Sequence, residues 1–565
     1  MRSSLPRVEG PVSDIGEAAN VTAAPVIIIG GGPVGMMLAL SLDSLGVRSI
    51  LVNTQTRPQW HPKGGTHNSR TMEHYRRLGL SSRIRKLGLP PDHPTDVVYF
   101  TRMNGWELQR IAMPSEREKQ RMVAEAGPTD QVPEPILRCN QMQVESLVFD
   151  HLTTRPNIVS RFGWQCVDFA DQGNRVTAEI EELSSGCRQI LAGDYLIGCD
   201  GGQGLVRRKL GIEYLGDQPE QQAYLGGAMV STYLHAPDLH TQVIRKKGWQ
   251  YWTVNSDVRS NTLCIDGNAE FLFNTRLRSN EQKPDNDFIS RAFLASVGRD
   301  IAFEVIRHST WVAGQAFVAD CFGRGRVVLA GDAVHLFTPT GGFGMNTGVD
   351  DAVNLAWKLA ALVQGWGGQR LIESYEAERR PIALRNTAAA KQLARNVGAV
   401  PVSEDIEQDS PDGEAARHVA SAFLSNFGQE FGSLGIQLGA RYDGSSIIAD
   451  AREPPPRDDP ISYTPTSVPG GRTPHLWLAG HTSLFDRLGA GFTLLSFEDD
   501  VSNSALETAA RRRGVPFKTL TIAHPEGHAL YGCNLALIRP DQYVAWRGDR
   551  LPEDCDALLG SVTGW

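Results

Sequence analysis

Pro25–Ile29 carries four consecutive β-branched residues, which predicts a strand buried on both faces. Gly30-Gly31-Gly32-Pro33 interrupts the apolar run, and Pro33–Gly46 then keeps Met36, Met37, Leu40 and Leu45 on one side, the spacing of a helix. Ser49–Val52 follows as a second strand, completing a βαβ unit of about 30 residues. His67–Gly79 has the period of an amphipathic helix with Arg70, Glu73 and Arg77 outward. Pro114–Pro135 is charged and proline-flanked, a surface excursion, and Gln141–Leu152 returns to helix. Val176–Ile180 and Asp194–Cys199 read as strands. From Leu215 to Phe317 the pattern changes to short runs rich in Tyr, Trp and Val, such as Trp249–Val254 and Thr262–Ile265, which predicts an inserted, mainly antiparallel sheet. Arg326–Ala330 is again a buried strand, followed by helices over Gly348–Val363 and Ile372–Leu393. Six prolines between Pro454 and Pro469 mark a linker. Beyond it, Ala490–Phe497, Ala505–Gly514, Phe517–Ile522 and Leu535–Arg539 read as β-α-β-β.

The fold class is therefore α/β: a Rossmann-type nucleotide-binding domain from residues 25–214 and 318–395, with a substrate-domain sheet inserted at 215–317. A helical segment and linker occupy 396–470, and a small α/β domain closes the chain at 471–565. Residues 1–24 contain charges and no apolar core, so they predict a disordered lead-in, not a secretory signal.

Composition narrows the possible partners. At 565 residues the chain exceeds what one core supports, and 41% hydrophobic with 21% charged residues is ordinary for a soluble protein. A net charge of −8 argues against nucleic acid or an anionic membrane, and no apolar run reaches the ~20 residues of a membrane span. The eight cysteines show no CxxC pair and no Cys/His metal spacing, so they predict reduced thiols in the cytoplasm and no metal.

Two glycine-rich turns carry the chemistry. Gly30-x-Gly32-x-x-Gly35 follows a strand and opens a helix: the first glycine makes the turn, the second admits a pyrophosphate, the third lets helix meet strand. The acidic residue that normally ends the second strand and holds a ribose is replaced by Asn53, whose amide is a weaker, uncharged acceptor. About 300 residues later, RVVLAGDAVHLFTPTGGFGMNTGVDDAVN at 326–354 sets Asp332 after a strand, then a proline-glycine loop, then a helix start. Two such turns far apart suit a long cofactor with a pyrophosphate at one end and a ring at the other: FAD.

These segments, with LIGCDGGQGLVRRKLGI at 196–212 and LIESYEAERRP at 371–381, resemble the single-component FAD-dependent aromatic hydroxylases, and the resemblance spans about Pro25–Arg395. It implies that Asp332 binds the ribityl chain, that Pro339, Gly341, Gly342, Gly344, Met345 and Asn346 shape the isoalloxazine pocket, and that Asp200 sits where cofactor and nicotinamide share contacts. Lys63, Arg138 and Gln141 are the further FAD contacts it implies, and Gly204 departs from the serine usual in the Asp-Gly motif. It also implies NADPH or NADH as transient reductant and O2 as co-substrate, with a flavin C4a-hydroperoxide attacked by an electron-rich ring. RTPHLWLAGHTSLFDRLGAGFTLL and LALIRPDQYVAWRG are similar to the thioredoxin-like domain of the phenol-hydroxylase branch, here without CxxC, for packing on the FAD domain or for a dimer contact.

The substrate side is less marked. Trp249 and Tyr251, alternate residues in Trp249-Gln250-Tyr251-Trp252, are candidates for an aromatic wall or for sheet core, and Tyr251 is also a candidate for catalysis. His67 is either an acid–base residue or a helix cap. His335 resembles a structural histidine of the family, and Phe343 is placed to touch flavin or substrate. The expected function is NAD(P)H-dependent hydroxylation of a phenolic or similar electron-rich aromatic, in a homo-oligomer, dimer favoured. Other flavin redox chemistry on the same fold and a non-catalytic FAD-binding module are the alternatives, and the Trp-x-Trp-x-Ile-Pro signature of flavin halogenases is absent.

Overall fold

The computed structural model describes residues 21–217, 227–277, 284–427, 431–451, 453–498 and 504–565. Of the expected lead-in, 1–20 lies outside the described residues. Val21–Ala23, by contrast, is a strand running parallel to Ile190–Ala192.

Val26–Ile29 is fully buried and pairs in parallel with Ser49–Asn53 on one side and Tyr195–Gly198 on the other. Ile158–Phe162 and Val327–Leu329 extend this parallel core, and the short strand Gly323–Arg324 adds an antiparallel edge to a six-stranded sheet. Helix Pro33–Ser44 starts with proline at its first turn, where a missing N–H costs nothing. Helix Phe343–Val363 lies against it at a glycine contact, for a Cβ at Gly348 would stand 2.6 Å from Val34.

The substrate-domain sheet has seven strands, in the order Glu304–Ala313, Gly227–His235, Glu270–Arg276, Arg259–Cys264, Gln250–Val254, Val97–Phe100, Glu107–Ile111. Its described pairings are antiparallel except that between Gln250–Thr253 and Val97–Phe100. The sheet is thus not confined to 215–317: the chain lays down two of its strands before returning to the Rossmann unit. Pro114–Pro135 lies mostly at the surface and contains helix Glu116–Ala124 with a Ser115/Glu118 capping box.

The C-terminal sheet orders Phe517–Thr521, Phe492–Ser496, Leu535–Ile538 and Val544–Gly548. Its core is continuous with the FAD-binding half, because Phe492 and Leu494 share a cluster with Trp357, Trp366 and Leu371. Buried ion pairs stitch the same boundary. Arg539 pairs with Glu378 at 2.6 Å and Arg472 with Glu73 at 2.5 Å, while Lys358, on the FAD-binding side, shares Glu378 at 2.7 Å. Arg70 and Glu73, expected outward, are consequently buried, 2.8 Å apart, beneath this domain.

Candidate functional site

The two glycine-rich turns meet in space. Gly331 adopts φ +64°, and a Cβ there would lie 2.8 Å from Val34 in the first turn of helix Pro33–Ser44. Gly30, at φ +111°, admits no side chain either, its Cβ position being 2.1 Å from the Cys199 carbonyl oxygen. Gly35 is packed as tightly, 1.9 Å from the Gly30 carbonyl oxygen, whereas Gly32 faces open space where a phosphate has room to approach the helix N-terminus. Asn53 Oδ1 accepts the Gly31 N–H at 3.1 Å, so this amide holds the turn itself.

Asp332 follows Gly331 and borders a cavity of about 850 Å3, within the range of small-molecule sites. Burial raises its pKa, with His335 and Lys63 acting against that, although the carboxylate still reaches the cleft surface. Pro339, Gly341, Gly342 and Phe343 line the same cavity. Gly341 and Gly342 have φ of +78° and +66°, which turns the chain sharply beneath the cleft without side chains. Gly344 and Met345 continue into the helix, and neither lines the cavity. Asn346 is buried and pins the loop: Oδ1 accepts the Asn68 N–H at 2.9 Å, and Nδ2 donates to the carbonyls of Thr66 at 3.0 Å and Gly342 at 2.6 Å.

Lys63 and Arg138 both line the cavity. Arg138 donates to Thr66 Oγ1 at 2.6 Å and lies 4.1 Å over the Trp249 ring. No carboxylate pairs with it among the described residues, and burial alone pushes its pKa down, so its surroundings favour an anionic ligand. Gln141 donates to Glu145 at 2.5 Å and does not border the cavity. Asp200 ends its strand with Oδ2 accepting the Val206 N–H at 3.0 Å, while Oδ1 is buried without a partner. Gly204 now has a reason: a Cβ there would lie 2.1 Å from the Asp200 carboxylate.

Residues of the seven-stranded sheet, among them Ser231, Asn261 and Arg307, line the same cavity as the Pro339–Phe343 loop. Here the aromatic expectation is corrected in phase. Strand Gln250–Val254 turns Gln250 and Trp252 to the cavity and Tyr251 and Thr253 to the back. Tyr251 is fully buried, its hydroxyl donating to the Gly248 carbonyl at 2.7 Å and accepting the Gly248 N–H at 2.8 Å, so it touches no cavity ligand. Trp249 precedes the strand and does line the cavity.

His67 is corrected as well. Thr66 faces the cavity, and His67, next along the strand, is buried away from it with Nδ1 3.4 Å from the Tyr75 hydroxyl. Burial pushes its pKa down to about 4. Nor is it the helix cap, a role that Asn68 takes by accepting the Thr71 N–H. His335 hydrogen-bonds Asp351 at 2.7 Å in a fully buried pair.

Sequence reasoning missed His61, Arg307 and Asn261, which line the cavity. His61 Nε2 meets Ser309 Oγ at 2.8 Å, its Nδ1 is buried without a partner, and burial, then Arg307, Lys63 and His308, lower its pKa. Asn261 Nδ2 is likewise buried without a partner. Only the polar phase of the inserted strands carried a signal for Asn261; none marked His61.

A glycine cradle, a helix N-terminus, an acid beside it and a cleft of this size fit a flavin dinucleotide. Comparison with known proteins agrees. Residues 23–390 match the FAD binding domain family and residues 466–565 the aromatic-ring hydroxylase C-terminal family. The chain belongs to the FAD-binding aromatic-ring hydroxylases and is an FAD-dependent monooxygenase using NAD(P)H and O2. It is similar to the FAD-dependent monooxygenase apdD of Emericella nidulans, 29% identical over 97% of this chain and 91% of that one. Phenol 2-monooxygenase of a Pseudomonas strain is 25% identical over 97% and 94% of the two chains. Among solved structures, the rebeccamycin enzyme RebC with bound 7-carboxy-K252c superposes with a TM-score of 0.86 at 34% identity, covering 96% of this chain and 99% of that one. No described helix is long and apolar enough to cross a membrane.

Proposed function

We propose that the enzyme hydroxylates a phenolic or similarly electron-rich aromatic that lies between the Pro339–Phe343 loop and the seven-stranded sheet, bound as its phenolate. The observation carrying this is the charge of the shared cavity. Lys63, Arg138 and Arg307 line it, and Asp332 is the sole acid among the described lining residues. Cations in a cleft of low dielectric stabilise an ionised phenol, the form most reactive toward electrophilic oxygen.

FAD, when bound and reduced, supplies that oxygen atom after reaction with O2. The residues of the chain do the rest. Asp332 holds the ribityl hydroxyls, and Gly341 and Gly342 let backbone approach the ring. Arg138 and Lys63 balance negative charge, and Trp249, Trp252 and Phe343 provide flat apolar surface that keeps water from the reacting centre. His61, a neutral imidazole facing the cavity, takes the phenolic proton. Asp200 and the open side of the cleft receive the nicotinamide transiently, NADPH or NADH.

The test is NAD(P)H oxidation with oxygen uptake against a panel of phenols and their O-methyl ethers. Coupled turnover and hydroxylated product with phenols, but not with ethers, is the expected result. Equal turnover of both would remove the phenolate argument.

A further inference from the structure

We propose that His93, His240 and Cys264 form a zinc(II) site on the back of the substrate sheet, separate from the flavin cavity. The three come from distant parts of the chain: the turn before strand Val97–Phe100, the π-helical turn Leu239–Val243, and the end of strand Arg259–Cys264. Their donor atoms lie within 4.8 Å of one another, and all three residues are buried. Zinc bonds of about 2.0 Å to nitrogen and 2.3 Å to sulfur separate tetrahedral donors by roughly 3.5 Å, so closing the site takes about 1 Å of side-chain rotation.

The tautomers make the case stronger than proximity does. The Tyr251 hydroxyl has one proton, given to the Gly248 carbonyl, so its 2.8 Å contact with His240 Nε2 requires that nitrogen to be the donor. His240 Nδ1 is then a bare lone pair. His93 Nδ1 lies 2.8 Å from the Pro94 carbonyl, which only accepts, so the proton sits there and Nε2 is bare. Both bare nitrogens, His240 Nδ1 and His93 Nε2, are buried without a hydrogen-bond partner. Two desolvated imidazole lone pairs and a thiol converging on one point are costly unless a cation joins them. The Asn268 carbonyl also acts on His240 and favours its protonated form, but His240 Nδ1 meets no partner within hydrogen-bond distance and angle.

The surroundings behave as a second layer of support. Tyr251 and the Pro94 carbonyl orient the two rings, as outer partners do for zinc-bound histidines. Asp266 acts electrostatically on all three groups, and its Oδ1 is fixed by the N–H groups of Asn268, Ala269 and Glu270. Lys247, which opposes a cation here, is held at the Gly267 carbonyl, 3.2 Å away. Two imidazoles with one thiolate select a borderline metal over calcium or magnesium. Binding converts the Cys264 thiol to a zinc thiolate, and the displaced proton leaves to solvent. Because the Cys264 N–H donates to the Trp249 carbonyl at 2.8 Å, the metal would stiffen the wall of the flavin cavity from behind.

The experiment uses tag-free, full-length holoenzyme, stripped with a chelator and titrated with zinc chloride. Bound metal is measured by mass spectrometry, and melting temperature alongside. Wild type is expected to take up about one zinc per chain and to melt higher, while Cys264→Ser and His93→Gln keep flavin but lose that equivalent. Zinc uptake in both variants equal to wild type overturns the proposal. So does a wild type that neither binds zinc nor shifts its melting temperature, an outcome independent of whether the variants fold.

Discussion

Asn346 Oδ1 accepts the backbone N–H of Asn68 at 2.9 Å, joining two segments almost 280 residues apart, while its Nδ2 holds the Thr66 and Gly342 carbonyls. One amide thereby sets the distance between the Gly341–Gly342 turn and the segment carrying Lys63 and Thr66. Asn346→Ala removes the side-chain partner of three part-buried backbone groups, and each one left unsatisfied costs about 1–3 kcal/mol. FAD affinity in a fluorescence titration should fall about 5- to 150-fold, whereas Asn346→Ala with unchanged affinity would mean that the loop keeps its shape without the amide.

His67 is a structural histidine with a pH signature. Its folded pKa of about 4 lies below the ordinary 6.5, so the unfolded chain binds its proton first. The penalty is absent above pH 6.5, grows as pH falls, and is complete below about 4, reaching at most ~3 kcal/mol. His67→Gln should keep hydroxylation within about twofold, and denaturant titrations should show a shallower stability loss between pH 7 and 5 than wild type. A large fall in kcat would return His67 to the chemistry.

His61 shifts in the same direction but borders the cavity. Its lowered pKa keeps it neutral and able to accept a proton at pH 7. His61→Gln should lower kcat on the order of 10²-fold, with part of the loss recovered at high pH where solution already ionises the phenol. A pH-independent loss would indicate misplacement of substrate instead.

Arg539 anchors the C-terminal domain through Glu378 at 2.6 Å and 2.9 Å. Burial alone would raise the Glu378 pKa, but Arg539 and Lys358 outweigh it and hold it well below the carboxylate range. Its contribution is therefore present above the unfolded value of about 4.3 and is lost as pH falls below it. Arg539→Met leaves Glu378 with Lys358 alone and removes the cation paired with buried Asp541, and should cost about 3–5 kcal/mol at pH 7, read by denaturant unfolding, with the deficit shrinking in acid.

The Rossmann strand–glycine–helix unit was legible because β-branched runs and fixed glycine spacing are local signals. The family resemblance pointed to the Asp332 loop, and the cavity beside it follows. What the sequence hid was tertiary. Val97–Phe100 joins the substrate sheet although it lies inside the first domain's segment, so no boundary could be drawn from composition. Tyr251 stayed open between cavity wall and sheet core because alternation gives a period and not a phase; pairing with Arg259–Cys264 and Val97–Phe100 fixes which side is the cavity. Arg70 and Glu73 looked exposed by period and are covered by residues some 400 positions away.

The most direct measurement is FAD binding to Asp332→Ala. If Asp332 is the acid that holds the flavin end of the cofactor, the purified variant should lose its yellow absorbance. Its titrated FAD affinity should also fall at least about 10-fold, as loss of one charge-assisted hydrogen bond requires. Full flavin occupancy with wild-type affinity would contradict the site on which the whole account rests.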